Sequence, residues 1–170
     1  MSLTDDLVRL KHQEETLQFT RFDETTAWQL GAYLHRHACE RSLPLIVDVR
    51  RFDRPLFLAT TPGVTSDSVE WIRRKSNTVQ RFLRSSYRLK YQLALEKQDI
   101  TQRYFLSPAD YASAGGGFPI SIRGTGVIGS VSVSGLPERA DHQLIVEALC
   151  ALLGHDPIPL MLGEACPFSG

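Results

Sequence analysis

Apolar positions along this chain follow two rhythms, one of three to four residues and one of two. Leu3, Leu7 and Leu10 recur at helical spacing around Thr4, Asp5 and Asp6. With Thr4 as cap and acidic residues at the positive end of the helix dipole, they predict a helix over 3–14. Leu17, Phe19 and Phe22 read as a short strand, and Asp23 or Thr25 can cap a second helix carrying Trp28, Leu30, Tyr33, Leu34 and Ala38. From Pro44 the period drops to two. Leu45, Val47 and Val49 alternate with Ile46, Asp48 and Arg50, and Leu56 to Ala59 repeats that content, which predicts two antiparallel strands. Ser66 or Asp67 can then cap a helix through Trp71, Ile72, Val79, Phe82 and Leu83, its stripe interrupted by Ser76 and Thr78. Tyr87 to Gln98 alternates like a strand, but its Leu, Ala, Glu, Lys and Gln content favours a helix. Ser107-Pro108 predicts one or two further helical turns leading into Gly115.

The stretch from Gly115 to Ser134 organises the rest. Three successive glycines admit backbone angles closed to other residues and let another group approach the main chain. After Pro119 a hairpin is predicted, with Phe118, Ile120 and Ile122 on one face and Val127, Val131 and Val133 in step beyond a Gly-Thr-Gly turn. Ser121, Ser130, Ser132 and Ser134 make its other face polar, suited to a site, a subunit interface or water. An amphipathic helix over 137–153 ends at Gly154. The tail 155–170 carries Ile158, Leu160, Met161, Leu162 and Phe168, an apolar run that must dock on a neighbouring element or subunit. The element order gives an α+β layered domain spanning 1–170, with about five mostly antiparallel strands and helices packed against them.

Composition narrows the function classes. Nineteen basic and nineteen acidic side chains cancel, so no global field favours nucleic acid or an anionic membrane. Arg73, Arg74, Lys75, Arg81, Arg84, Arg88 and Lys90 are locally basic, a pattern that usually marks the solvated sides of helices. Cys39, Cys150 and Cys166 are odd in number and widely spaced, which suits reduced thiols and a cytoplasmic protein. No run of eighteen apolar residues predicts a membrane span.

Candidate chemistry is sparse. Free glycine amides at 115–117 could meet a carboxylate or phosphate, or the loop could simply be closely packed. The segment lacks a P-loop lysine and precedes a hairpin where a dinucleotide fingerprint would open a helix. Asp141 falls on the buried stripe at the start of the last helix, as a brace for backbone amides or as an acid or base. His142 lies one residue round, on the side of Glu138, well short of a metal ligand set. His35 and Cys39, four apart on the second helix, could face each other. No nucleophile elbow or reactive-cysteine motif is present, and no enzymatic mechanism assembles from spacing alone.

Gly-Gly-Gly-Phe-Pro-Ile at 115–120, Val-Ile-Gly-Ser-Val-Ser-Val-Ser-Gly at 127–135, Asp141-His142 and Lys75-Ser76-Asn77-Thr78-Val79 together resemble the GlcG/HbpS-like family, often labelled haem-degrading domain. The likeness runs from about Trp71 to the end of the last helix. Ser130 and Ser132 stand where that family usually has Ala and Gly, and His142 where an acidic residue is common. The chain is similar to a less characterised branch with an additional N-terminal helix. The resemblance implies a profilin-like fold, homo-oligomers, and haem or an iron species derived from it as a ligand. It also implies that Lys75 and Thr78 lie beside the glycine unit. The expected ligand site is therefore Lys75, Thr78, Gly115, Gly116, Gly117, Pro119, Asp141 and His142, with Lys75 as the cation for a small anion and no metal set. The expected function is a cytoplasmic, homo-oligomeric small-molecule-binding domain. The alternatives are an assembly module without a small ligand and an enzyme of unknown reaction.

Overall fold

A computed structural model describes residues 2–168. Four strands, β1 (Ile46–Arg51), β2 (Arg54–Thr60), β3 (Gly117–Ile122) and β4 (Gly126–Ser134), form one antiparallel sheet in the order β2-β1-β4-β3. The expected fifth strand is absent as a strand. Between α1 (Leu3–Thr16) and α2 (Glu24–Glu40) only a short link remains, and Phe19 makes a single parallel bridge to Ile122 at the β3 edge. Phe19 and Phe22 turn inward and meet edge to face at 5.0 Å, so core packing takes up a segment that could have extended the ladder.

Both sheet faces are covered. α2 and α6 (Glu138–Leu153) lie on one face, where Val47, Val49, Phe118, Ile120, Val131 and Val133 meet Leu30, Leu34, Ile145 and Leu149 in the main core. α3 (Ser66–Phe82) crosses the other face. The polar alternation of β4 is explained by that crossing: Ser130, Ser132 and Ser134 are buried, and the Ser76 and Ser130 hydroxyls sit 2.9 Å apart. Small side chains let a helix lie close to the strands. The hairpin phase shifts at one point, because Ile120 pairs with Gly129 while Ser121 pairs with Val127. Ile128 is the extra residue of this bulge and packs on the core; Val127 leaves the apolar face it was expected to share.

The ambiguous stretch is helical, α4 (Ser86–Glu96), capped by Ser85 accepting from the Arg88 amide. A helix not foreseen, α5 (Ile100–Tyr104), starts with a capping box between Asp99 and Gln102. Residues 107–111 form only a turn, since α3 claims the following backbone: Asn77 donates to the Asp110 carbonyl, and the Ala112 amide donates to Thr78 Oγ1. At the N-terminus Ser2, not Thr4, caps α1, in a capping box with Asp5.

The tail docks within its own chain. Arg9 donates to the Pro159 carbonyl at 2.6 Å, Gln13 to that of Leu160 at 2.7 Å and Arg139 to that of Gly163 at 2.8 Å. Leu160 joins the main core, and Leu162 packs with Leu10, Tyr87 and Tyr91. Ile158 alone of the apolar run stands well out, at 80% exposure.

Candidate ligand cleft

Three elements converge near the start of α6: the middle of α3, the glycine segment entering β3, and the end of β4. Lys75 points from α3 into this corner and is 2% exposed. Its ammonium donates to Asp141 Oδ2 at 3.0 Å and to the Val133 carbonyl at 2.8 Å. The other carboxylate oxygen of Asp141 accepts from the Leu136 amide at 3.1 Å. Burial pushes the Asp141 acid up to about 6 against the opposing pull of Lys75, and burial likewise lowers Lys75 against the pull of Asp141. Both shifts have one cause, a medium that penalises charge.

The glycines are there for space. A methyl on Gly115 would collide with the Glu138 carbonyl, and one on Gly116 would sit 2.6 Å from Lys75 Nζ and 2.5 Å from the Val133 carbonyl. Gly116 also holds φ at +107°, which side-chain-bearing residues rarely adopt. Nor are the flanking amides open to a guest: Gly117 donates to Ser86 Oγ at 3.0 Å and Gly115 to Glu138 Oε2 at 3.3 Å. Lys75, Gly115, Gly116, Gly117 and Asp141 are thus brought together, as the sequence reading required, but into mutual contact.

The other expected residues lie apart from them. Thr78 is buried, its hydroxyl donating to the Arg74 carbonyl at 3.0 Å while accepting from Ala112. Pro119 borders a different cavity, of about 420 Å³, with Glu14, Arg88 and Val127. His142 is fully buried between Tyr87 and Phe118, with Nε2 2.8 Å from Gln13 Oε1. Because the Gln13 amide nitrogen is donating to Leu160, its oxygen must accept, so His142 carries its proton on Nε2. Burial, helped by the charge of Arg139, lowers its pKa to about 3. Lys75, Asp141 and His142 therefore form no acid–base set.

An open cleft runs over the corner as two adjoining cavities of about 370 and 360 Å³ that share Trp71, Ala114 and Glu138. Lys75 and Asp141 contribute to the floor of the second. The first is bordered by Arg74, Lys90 and Tyr111. Arg74 lies over the Trp71 ring at 4.3 Å, and the indole N–H donates to Asp67 at 3.0 Å. Neighbouring basic side chains are engaged: Arg73 with Glu70 and Asp110, Arg88 with Glu14, Lys90 with Glu138. Among the described residues no carboxylate pairs with Arg74, and its buried Nε has no hydrogen-bond partner. Sequence reasoning passed over Arg74 as one of a basic run; its spacing of three from Trp71 was the available signal. Among the described residues there is no cluster of three or more His, Cys, Asp or Glu able to hold a metal, and no helix long and apolar enough to cross a membrane.

An antiparallel sheet flanked by helices, with a glycine corner closed by an α6 carboxylate, defines a layered α+β domain. Residues 22–150 match the family model described as haem degrading protein HbpS-like, and the chain belongs to that family. The match reaches further back than Trp71, and α1 lies outside it. A UPF0303 protein of Pseudomonas entomophila (strain L48) is 62% identical over 169 residues, covering 99% of this chain and 94% of its own. The crystal structure of the Ybr137w protein is similar at a TM-score of 0.81 with 25% identity, over 87% of each chain. That of the PduOC:Heme complex is similar at 0.64 with 17% identity, over 78% of this chain and 94% of the other.

Lys75→Ala leaves Asp141 buried without its cation and is expected to destabilise the protein by about 3–5 kcal/mol. Arg74→Ala should cost less than about 1 kcal/mol; urea unfolding of both variants checks the contrast. His142 yields a pH signature. Its folded pKa lies below the unfolded value near 6.5, so the unfolded state takes up the proton first and stability falls as pH drops from about 6.5 towards 3. Asp141 works the other way over its own range but is common to wild type and His142→Asn. Between pH 7 and pH 5 the wild type should lose about 2 kcal/mol more than His142→Asn, read from urea midpoints at both pH values.

Proposed function

We propose that this protein is a small-molecule-binding domain of the cytoplasm that works as a homo-oligomer and takes a carboxylate-bearing ligand in the cleft beside α3. The observation that carries this reading is Arg74, a guanidinium stacked on Trp71, bordering an open cavity and unmatched by any carboxylate among the described residues. Guanidinium favours planar, bidentate partners, and an indole face offers a flat surface beside it. Lys75 is the poorer anchor, since its charge already answers Asp141.

Two ligand classes suit the cleft. A small organic acid would occupy the Arg74 cavity alone. Haem or an iron species derived from it is favoured by the family description and by the haem-bound structural neighbour. Arg74 and Trp71 suit a carboxylate and one face of such a ring; for iron the lining offers the Tyr111 phenol and the carboxylates of Asp99 and Glu138. Bound haem would bring one-electron and oxygen chemistry. The chain's own part is to hold the carboxylates at Arg74 and cover the ring with Trp71.

Self-association is supported by exposed apolar residues at the sheet edge. Leu58 on edge strand β2 is 61% exposed, and Trp28, packed on Phe57, is 64% exposed. The same surface favours the second reading, an assembly module without a ligand. The tail lends that reading no support, being docked on α1.

The two readings part in a thermal-shift panel of haem and simple mono- and dicarboxylates. A ligand held at a hundred times its Kd stabilises the folded state by about 2.7 kcal/mol. The expected outcome is a rise in Tm with at least one member for the wild type and none for Arg74→Ala. No shift with any member would overturn the binding reading and leave the assembly module.

A further inference from the structure

The charged groups of the cleft do not cancel. Two ion pairs close within its lining, Lys75 with Asp141 and Lys90 with Glu138. Arg74, Asp67 and Asp99 are left over, and among the described residues none of the three enters an ion pair. A guest that carries only carboxylates answers Arg74 but brings its charge towards two others of the same sign. A guest with charges of both signs meets a complementary surface.

The two signs are also set out in space. Asp67, Trp71 and Arg74 follow one another at intervals of four and three residues, and so share one face of α3. The indole touches both neighbours: its N–H donates to Asp67 Oδ2 at 3.0 Å, and the Arg74 guanidinium carbon lies 4.3 Å from the ring centre. Asp67 borders the cavity that reaches Lys75, Arg74 borders the cavity that reaches Tyr111, and Trp71 is common to the two. Seven residues of helix set the backbones of Asp67 and Arg74 about 10 Å apart. One carboxylate oxygen of Asp67 is held by the indole; the other has no donor among the described residues. Asp99 is engaged differently, its Oδ1 capping α5 by accepting from the Gln102 amide at 2.8 Å.

We infer that the cleft takes an elongated amino-carboxylate, with its carboxylate on Arg74, its ammonium on Asp67 and an apolar middle along Trp71. The inference rests on Arg74 as a carboxylate anchor and adds the class of acid. The spacing excludes an α-amino acid, whose two charges flank a single carbon, and the apolar indole between the charges suits the methylene or aryl spacer of an ω-amino acid. Asp67 is then the residue that separates this class from simple acids.

Isothermal titration of the full chain at low ionic strength tests this with two matched pairs, para-(aminomethyl)benzoate against para-methylbenzoate and ε-aminocaproate against caproate. In at least one pair the amino-carboxylate should bind about tenfold tighter than the partner lacking the ammonium, as one charge-assisted contact would give. Added salt should shrink that advantage. Asp67→Asn retains an acceptor for the indole N–H and should erase the advantage, while Arg74→Ala should weaken both members of the pair. Equal binding within both pairs, or an advantage that survives Asp67→Asn and is lost in Asp99→Asn, would overturn the inference and leave Arg74 as the anchor of a simple acid. No binding by any of these probes would overturn it too. Binding that is unchanged in Arg74→Ala would overturn the underlying carboxylate reading as well.

Discussion

The ion pair between Lys75 and Asp141 is the constraint that the sheet, α3 and α6 all satisfy at once. A lysine this deeply buried needs its charge answered, and the answer comes from another helix and from the last residues of β4. Such a pair gains little by itself, because desolvation consumes most of the attraction. Its effect is positional. With the ammonium fixed, Gly116 is the residue type whose backbone can pass beneath it, and the glycine segment enters β3 at one angle only. The same corner thereby sets the start of α6, since Glu138 also receives the Gly115 amide and pairs with Lys90.

That constraint places the proposed binding surface outside the glycine corner. A guest seated on the glycine amides would have to displace Ser86 and Glu138 and separate a buried ion pair. A guest in the overlying cleft leaves those bonds in place. Arg74 gives the cleft a cation and Trp71 an apolar wall, one and four residues along α3 from Lys75. On the proposed reading, structural support and ligand contact are divided between adjacent residues of one helix, Lys75 turned to Asp141 and Arg74 to the cleft.

A second polar system holds the chain's two ends. Arg139 on α6 reaches Asp6 on α1 at 3.1 Å and the Tyr91 hydroxyl on α4 at 2.8 Å, while its Nε grips the tail at Gly163. Gln13 bridges His142 and Leu160. The additional N-terminal helix accordingly serves as a platform for the C-terminal tail, and covers His142 from solvent as it does so.

Much of this order was legible in the residues. Period-two runs located β1, β2, β3 and β4, composition decided α4, and Gly154 closed α6. The neighbourhood of Lys75, the glycines and Asp141 could be anticipated because helix period and family likeness agreed on it. What stayed hidden depended on pairing across the fold. The bulge at Ile128 exists only relative to Ser121 on the next strand, and the Leu17–Phe22 segment reads as a strand until its aromatics are claimed by the core. His142 sits about 100° round the helix from Asp141, enough to aim it at α1 in place of the cleft. Arg74 could not be told from Arg73 or Arg88 without knowing which carboxylates the fold delivers to each.

The most direct test of this division of labour is a titration of isotopically labelled protein with haem and with a simple dicarboxylate, followed by the NMR signals of backbone amides and the tryptophan indoles. The account predicts saturable shifts at the Trp71 indole, Arg74 and Tyr111, with the Gly116 and Gly117 amides unmoved. Shifts centred on the glycine amides, with Trp71 unaffected, would contradict it.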